Sequence, residues 1–138
     1  MTTTYPILNS VVLDTTDARG LAEFYRELLG YSYRLGDEPP AEGEPDPRGD
    51  DWLVLIGHGG ALRIAFQQVA ELTPSTWPSD EVPQQMHLDL LVQTEEELLA
   101  QHERVLALGG RVIVEADEEP LSVYADPAGH PFCVFVGG

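Results

Sequence analysis

Two polar side chains in the second half of the chain have the residue types and spacing for acid–base chemistry. His87 and Asp89 are separated by one residue within segment 85–92, where polar and apolar residues largely alternate. Side chains two residues apart on a strand point to the same face, so this pattern predicts a strand with both groups on one side. A histidine beside a carboxylate can exchange protons near neutral pH, which makes the pair the catalytic candidates if the chain is an enzyme. The alternative is that His87 is a hydrogen-bonded structural side chain.

Segment 61–67 alternates in the same way and supplies further polar candidates. We predict that one face of this strand lines a cleft with Arg63, Ala65 and Gln67. There Arg63 could bind a carboxylate or phosphate of a ligand, or it could pair with one of the many acidic side chains of the chain. The opposite faces of the two strands are apolar and should pack on helices: Leu62, Ile64 and Phe66 on one, and Met86, Leu88, Leu90 and Val92 on the other.

Aromatic residues and the single cysteine complete the predicted lining. Trp52 and Trp77 could stack on a planar ligand, with a core position as the alternative for Trp52. Cys133 and Phe135 share the cleft face of segment 131–136, and nothing near Cys133 in sequence would lower its pKa, so we interpret it as a small packing residue. The predicted ligand-binding residues are Trp77, Trp52, Arg63, Gln67, His87, Cys133 and Phe135.

Composition excludes several functional classes. The net charge is −17, with seven basic against 24 acidic residues, which argues against nucleic acid and anionic membrane partners. One cysteine permits neither an intramolecular disulfide nor a zinc finger. No apolar run is long enough to span a bilayer, and residues 1–10 lack the charge and apolar core of a signal peptide, so we expect a cytoplasmic protein.

The elements that must position these residues occur twice in the same order. Strand 7–14, helix 17–30 and strands 31–36, 52–56 and 61–67 are followed by strand 85–92, a helix from the Thr94 capping box to about Leu108, and strands 111–114, 121–125 and 131–136. We therefore predict one α+β domain over residues 1–138, with modules at about 5–68 and 85–138 and a linker at about 69–84. The two βαβββ modules would form a curved, mixed, eight-stranded sheet with a concave cleft. The acidic, proline-rich segment 37–51 is predicted to be a solvated, mobile insertion rather than a lid.

Three motifs in this order resemble the vicinal oxygen chelate superfamily (glyoxalase, bleomycin resistance protein and dioxygenase), and in particular its glyoxalase-like branch. They are Asp17 with Phe24-Tyr25 and Leu29-Gly30, the His87-Leu88-Asp89 strand, and the Asp126-Pro127-Ala128-Gly129 turn leading to Phe132. The resemblance implies the double βαβββ fold, a small-molecule ligand and a homodimer.

The resemblance also implies where metal ligands would lie. Metal-dependent members use four positions, which fall here on Ser10, Ala65, His87 and Cys133. Serine and alanine are not ordinary ligands of divalent metals, so we predict no cofactor and a cleft without a metal, leaving a divalent metal held by His87 and Cys133 as the alternative.

These residues favour a small-molecule-binding protein that sequesters an antibiotic or metabolite. The alternative is a lyase, isomerase or dioxygenase of the same superfamily, either metal-dependent or using His87 and Asp89 for acid–base chemistry. A module that only dimerises is the third possibility.

Overall fold

The two predicted modules are present in the protein. The computed structural model describes residues 4–114 and 121–137. The first module consists of β1 (Ser10–Thr15), α1 (Ala18–Leu29), β2 (Ser32–Tyr33), β3 (Trp52–Ile56) and β4 (Arg63–Gln68). The second consists of β5 (Leu88–Val92), α2 (Glu95–Leu108), β6 (Arg111–Val114), β7 (Leu121–Ala125) and β8 (Pro131–Val136). Within the described residues no helix has the length and apolar character needed to cross a bilayer.

Each module forms its own four-stranded mixed sheet. The strand orders are β1-β4-β3-β2 and β5-β8-β7-β6, and the first strand of each module pairs in parallel with its last. The α+β fold with two βαβββ modules is therefore confirmed. The eight strands divide into two hydrogen-bonded sheets, with β1 and β5 at the edges, and are not joined in one continuous ladder.

Helix α1 connects the two modules through its apolar face. Asp17 caps its N-terminus by accepting a hydrogen bond from the Gly20 N–H, and Gly30 ends it with a φ of 68°, a conformation that glycine adopts without a Cβ clash. Tyr25 is fully buried, and its hydroxyl donates a 2.7 Å hydrogen bond to the Asp126 carboxylate of the second module. Its ring also lies near Phe132 of β8, with 6.1 Å between the ring centroids. The first module is therefore bound to the second by a buried polar contact within an aromatic cluster.

Helix α2 begins as its capping box predicts. The Thr94 hydroxyl accepts a hydrogen bond from the Glu97 N–H at 3.1 Å, and Gly109 ends the helix with a φ of 108°. Only Leu98 and Val105 of this helix are buried, so α2 packs on the core through fewer side chains than α1 does.

Segment 37–51 is not the freely mobile insertion that its composition predicts. The Asp37 carboxylate is fully buried, pairs with two arginines, and accepts hydrogen bonds from Arg48 at 3.0 Å and from a backbone N–H. Arg19 of α1 binds the Asp46 carboxylate through two nitrogens at 2.8 and 2.9 Å. Composition does not reveal this anchoring, because the few arginines that bind the segment are outnumbered by its acidic residues. Residues 38–45 are exposed, as predicted.

Three strands begin later than predicted, and one is shorter. β1 begins at Ser10, β4 at Arg63 and β5 at Leu88, while β2 consists of two residues only. Met86 consequently precedes β5 and is 70% exposed, so the expectation that it packs on the helices is wrong. The alternation of polar and apolar residues continues past the residues that are hydrogen-bonded to a neighbouring strand. The sequence pattern therefore overestimates the length of the strand.

We predict that Tyr25→Phe lowers the free energy of unfolding by about 1.5–3 kcal/mol, because it removes a buried donor to a carboxylate. The matched control is Tyr31→Phe, whose hydroxyl donates to the Leu62 carbonyl at an exposed site and should cost less than about 1 kcal/mol. Urea unfolding measures both effects. Burial raises the pKa of Asp126, and the Tyr25 hydrogen bond opposes that rise. The Asp126 pKa should therefore increase further in Tyr25→Phe, which carboxyl NMR would detect. Equal stability losses in the two variants would contradict this account.

Candidate functional site

A cavity of about 460 Å³ lies where the edge of the first sheet meets the linker and the second module. Its walls are residues 11–14 of β1, Gln67 of β4, linker residues 72–75 and 82–87 with Leu88 of β5, and residues 128–131 at the β7–β8 turn. Most of these side chains are apolar. No residue of segment 37–51 is among them, so that segment does not cover this cavity.

The β7–β8 turn is held against β1 by specific polar contacts. The Asp126 carboxylate accepts hydrogen bonds from the backbone N–H groups of Ala128 and His130 at 2.9 and 3.0 Å. The His130 side chain in turn reaches the Asp14 carbonyl, with 2.7 Å between Nε2 and the oxygen. A Cβ on Gly129 would lie 2.5 Å from the Pro74 side chain, so only glycine permits this approach of the linker. These contacts close one side of the cavity.

The polar groups in the cavity wall are mainly hydrogen-bonding amides and acceptors. They include the Asp14 carboxylate, three glutamines and two histidines, and none of the described lining residues is an arginine. The Gln84 side-chain oxygen is buried without a hydrogen-bond partner among the described residues. The accessible acceptors of the wall are the Asp14 carboxylate and the exposed amides of Gln67 and Gln85, so the wall is suited to a group that donates a hydrogen bond.

His87, Asp89 and Cys133 form a compact cluster beside the cavity. His87 Nε2 lies 3.2 Å from Asp89 Oδ1, and one potential ligand atom from each of the three residues lies within 4.8 Å of the others. The β5–β8 register places Asp89 directly opposite Cys133. Partial burial, followed by the nearby Asp89 carboxylate, raises the pKa of the Cys133 thiol. The thiol is therefore protonated at neutral pH and is a poor nucleophile by itself.

The strand registers of the two modules are equivalent, and they locate the four metal-ligand positions that the family resemblance implies. Val12 pairs with Ala65 in the first module as Asp89 pairs with Cys133 in the second. Ser10 and Ala65 are therefore the counterparts of His87 and Cys133. Ala65 is 1% exposed and offers only a methyl group, so the four positions do not fit a four-ligand metal centre.

The predicted site residues separate into three groups. Gln67 and His87 line the cavity, and Trp52 pairs with Gln67 across β3 and β4. Asp89 and Cys133 join His87 in the cluster. The remaining three candidates lie outside both features: Arg63 borders a separate groove of about 320 Å³, and neither Trp77 nor Phe135 is among the residues lining the cavity.

Sequence reasoning missed the linker and turn residues that form most of the cavity wall. Residues 72–75, 82–86 and 128–131 have no periodic pattern that predicts their path. The glycine of the β7–β8 turn, with a φ of 95°, is the one local signal that another segment approaches closely.

The sequence matches the family model of the glyoxalase-like domain over residues 10–135. The chain belongs to the glyoxalase-like domain family. Among curated proteins no relative matches this glyoxalase-like chain.

Solved structures with the same fold are distant in sequence. A glyoxalase/bleomycin resistance protein/dioxygenase family enzyme from Burkholderia phytofirmans is 18% identical, with a TM-score of 0.66 over 92% of this chain and 95% of that one. The fosfomycin resistance protein FosX from Listeria monocytogenes, in complex with Mn(II) and a dihydroxypropylphosphonic acid, is also 18% identical, with a TM-score of 0.68 over 98% and 95%. A glyoxalase-related enzyme from Fulvimarina pelagi is 22% identical, with a TM-score of 0.65 over 96% and 89%. These similarities establish the fold, while the chemistry depends on this chain's own residues.

We predict that Asp89→Asn speeds the reaction of Cys133 with a thiol-specific disulfide reagent at neutral pH. Removing the neighbouring carboxylate lowers the Cys133 pKa and raises the thiolate fraction, which is the reactive form. Asp50→Asn makes the same charge change at an exposed position in segment 37–51 and should leave the rate unchanged. A rate that stays constant or falls in Asp89→Asn would contradict the electrostatic assignment.

Proposed function

We propose that this glyoxalase-like protein binds a small, largely apolar molecule in the 460 Å³ cavity and sequesters it, as an antibiotic or a metabolite, without the four-ligand metal centre. The observation that carries the proposal is the cavity itself. Its volume lies in the range of roughly 300–1,000 Å³ typical of ligand pockets, and a mainly apolar wall with a few polar groups is the usual composition of such sites.

The charge of the cavity wall favours a neutral or cationic ligand with hydrogen-bond donors. Asp14 and Gln67 present acceptor oxygens, no described lining residue is an arginine, and the net charge of the chain is −17. A phosphonate such as the one bound by FosX would require positive partners that this wall does not supply. The proposed ligand is therefore not a phosphonate.

A second candidate function is acid–base catalysis by His87 and Asp89, in a lyase, isomerase or dioxygenase of the same superfamily. The 3.2 Å contact between the two side chains and the position of His87 in the cavity wall favour it. Turnover of a cavity ligand that disappears in His87→Ala while binding persists would replace sequestration by this alternative.

The homodimer implied by the family is part of the proposal. Large apolar side chains remain exposed at Leu62, Leu91 and Val114, and contact with a second copy could bury some of them. A cytoplasmic location also remains an expectation from the sequence.

We predict that a small-molecule screen by thermal shift and calorimetry yields binders that are apolar and neutral or cationic. Gln67→Trp places a large ring in the cavity wall and should weaken the best binder at least about tenfold, equivalent to 1.4 kcal/mol. Gln93→Trp is the matched control, because both glutamines are exposed and Gln93 lies away from the cavity.

Three results would count against this proposal. They are a screen dominated by anions, a best binder that tolerates Gln67→Trp, and equal losses in both tryptophan variants.

A further inference from the structure

We infer that the cavity ligand is a primary amine, and that its ammonium group is bound by the side chains of Asp14 and Gln67. This inference rests on the proposed function and deepens it, because it names the chemical class that the site recognises. The proposed function allows neutral and cationic molecules that donate hydrogen bonds. The arrangement of acceptors in the cavity wall narrows that range to one kind of cation.

Asp14 and Gln67 are neighbours on two paired strands. They are register partners in the parallel pairing of β1 with β4, and both residues are exposed and line the cavity. Neighbouring strands lie about 4.8 Å apart, so one small ligand group can contact both side chains. The sheet fixes both backbones, and binding groups on strands are more accurately positioned than binding groups on loops.

Both side chains are available to a ligand. Within the described part of the chain no arginine or histidine forms an ion pair with the Asp14 carboxylate, and His130 contacts only the backbone carbonyl of Asp14. The neighbouring Gln68 side chain binds the first module's backbone, whereas the Gln67 amide has no such contact among the described residues. A ligand therefore replaces water at these two groups and breaks no bond within the protein.

The charge of the wall favours a cation at this position. The described lining residues include one carboxylate, that of Asp14, and no arginine. The net charge of −17 raises the local concentration of cations near the surface. An ion pair beside apolar side chains is also screened less by water than one on an open surface.

A primary ammonium group matches the acceptors in number. It carries three N–H donors, and the two carboxylate oxygens of Asp14 and the amide oxygen of Gln67 are three acceptors. A hydroxyl group donates one hydrogen bond, and a quaternary ammonium group donates none. Hydrogen bonds between charged groups are roughly twice as strong as those between neutral ones. The pair therefore distinguishes ligands both by charge and by the number of donors.

The remainder of the ligand must be apolar, because the linker lines the same cavity with apolar side chains. These are Leu72, Pro74, Val82, Pro83 and Met86. Met86 is 70% exposed, and its flexible thioether side chain can adapt to alkyl and aryl groups of different shapes. An apolar chain attached to the ammonium group would cover this surface and remove it from water. The ligand class is thus an amine with an extended apolar body.

The test uses three probes that share one apolar body: 4-phenylbutylamine, 4-phenylbutan-1-ol and (4-phenylbutyl)trimethylammonium. Calorimetry with the full-length protein measures the affinity of each. We expect the primary amine to bind at least about tenfold more tightly than either of the other two. Asp14→Asn should weaken binding of the amine at least about tenfold and leave the affinity for the alcohol unchanged.

Asp80→Asn is the matched control, because it removes the same charge at an exposed linker position that does not line the cavity. It should leave the preference for the amine intact, and thermal melting checks the fold of both variants. Three results would overturn the inference: equal affinity for the amine and the alcohol, a quaternary probe that binds as tightly as the amine, and equal losses in the two asparagine variants.

The alcohol distinguishes failure of this inference from failure of the proposed function, because it tests the cavity without the charge. Alcohol binding that is lost in Gln67→Trp, with no preference for the amine, would overturn the inference and leave cavity binding supported. Failure of all three probes to bind would overturn the inference and also count against the cavity as a ligand site.

Discussion

The buried hydrogen bond from Tyr25 to Asp126 is the constraint on which the site depends. A carboxylate taken out of water is costly unless its oxygens are hydrogen-bonded, and Asp126 is satisfied by one hydroxyl and two backbone N–H groups. The hydroxyl comes from the first module, and the N–H groups come from the β7–β8 turn of the second. One interaction therefore sets both the docking of the modules and the conformation of that turn.

Both functional features follow from the position of the turn. On one side, His130 reaches the Asp14 carbonyl and Gly129 lies against the linker, which encloses the cavity. On the other side, the turn leads into β8, whose register places Cys133 opposite Asp89. The two modules share a strand register but differ in chemistry. The first module has serine and alanine at the positions where the second has histidine and cysteine. The side chains able to exchange protons therefore lie in the second of two structurally similar modules.

The sequence predicts the fold well because the fold depends on repeated local patterns. Strand alternation and the helix caps at Asp17 and Thr94 are readable from local sequence and agree with the structure. The motif residues Tyr25 and Asp126 were visible as well, but their hydrogen bond to each other was not predicted. The placement of His87 and Asp89 on one face was predictable for the same reason.

The remaining features depend on tertiary contacts that local sequence patterns do not reveal. Arg34 and Arg48 lie close to Asp37 in sequence, but composition alone suggested a solvated segment and gave no sign that this carboxylate is buried. His130 lies in a turn, and no local pattern indicates that its side chain binds a carbonyl 116 residues away. The cavity walls were missed because irregular linker and turn segments have no periodicity from which a path can be derived.

The most direct test of the central claim is a crystal structure of the protein with its tightest cavity ligand. The account predicts ligand density between β1, the linker and the β7–β8 turn. Ligand density centred between Ala65 and Cys133 would contradict it.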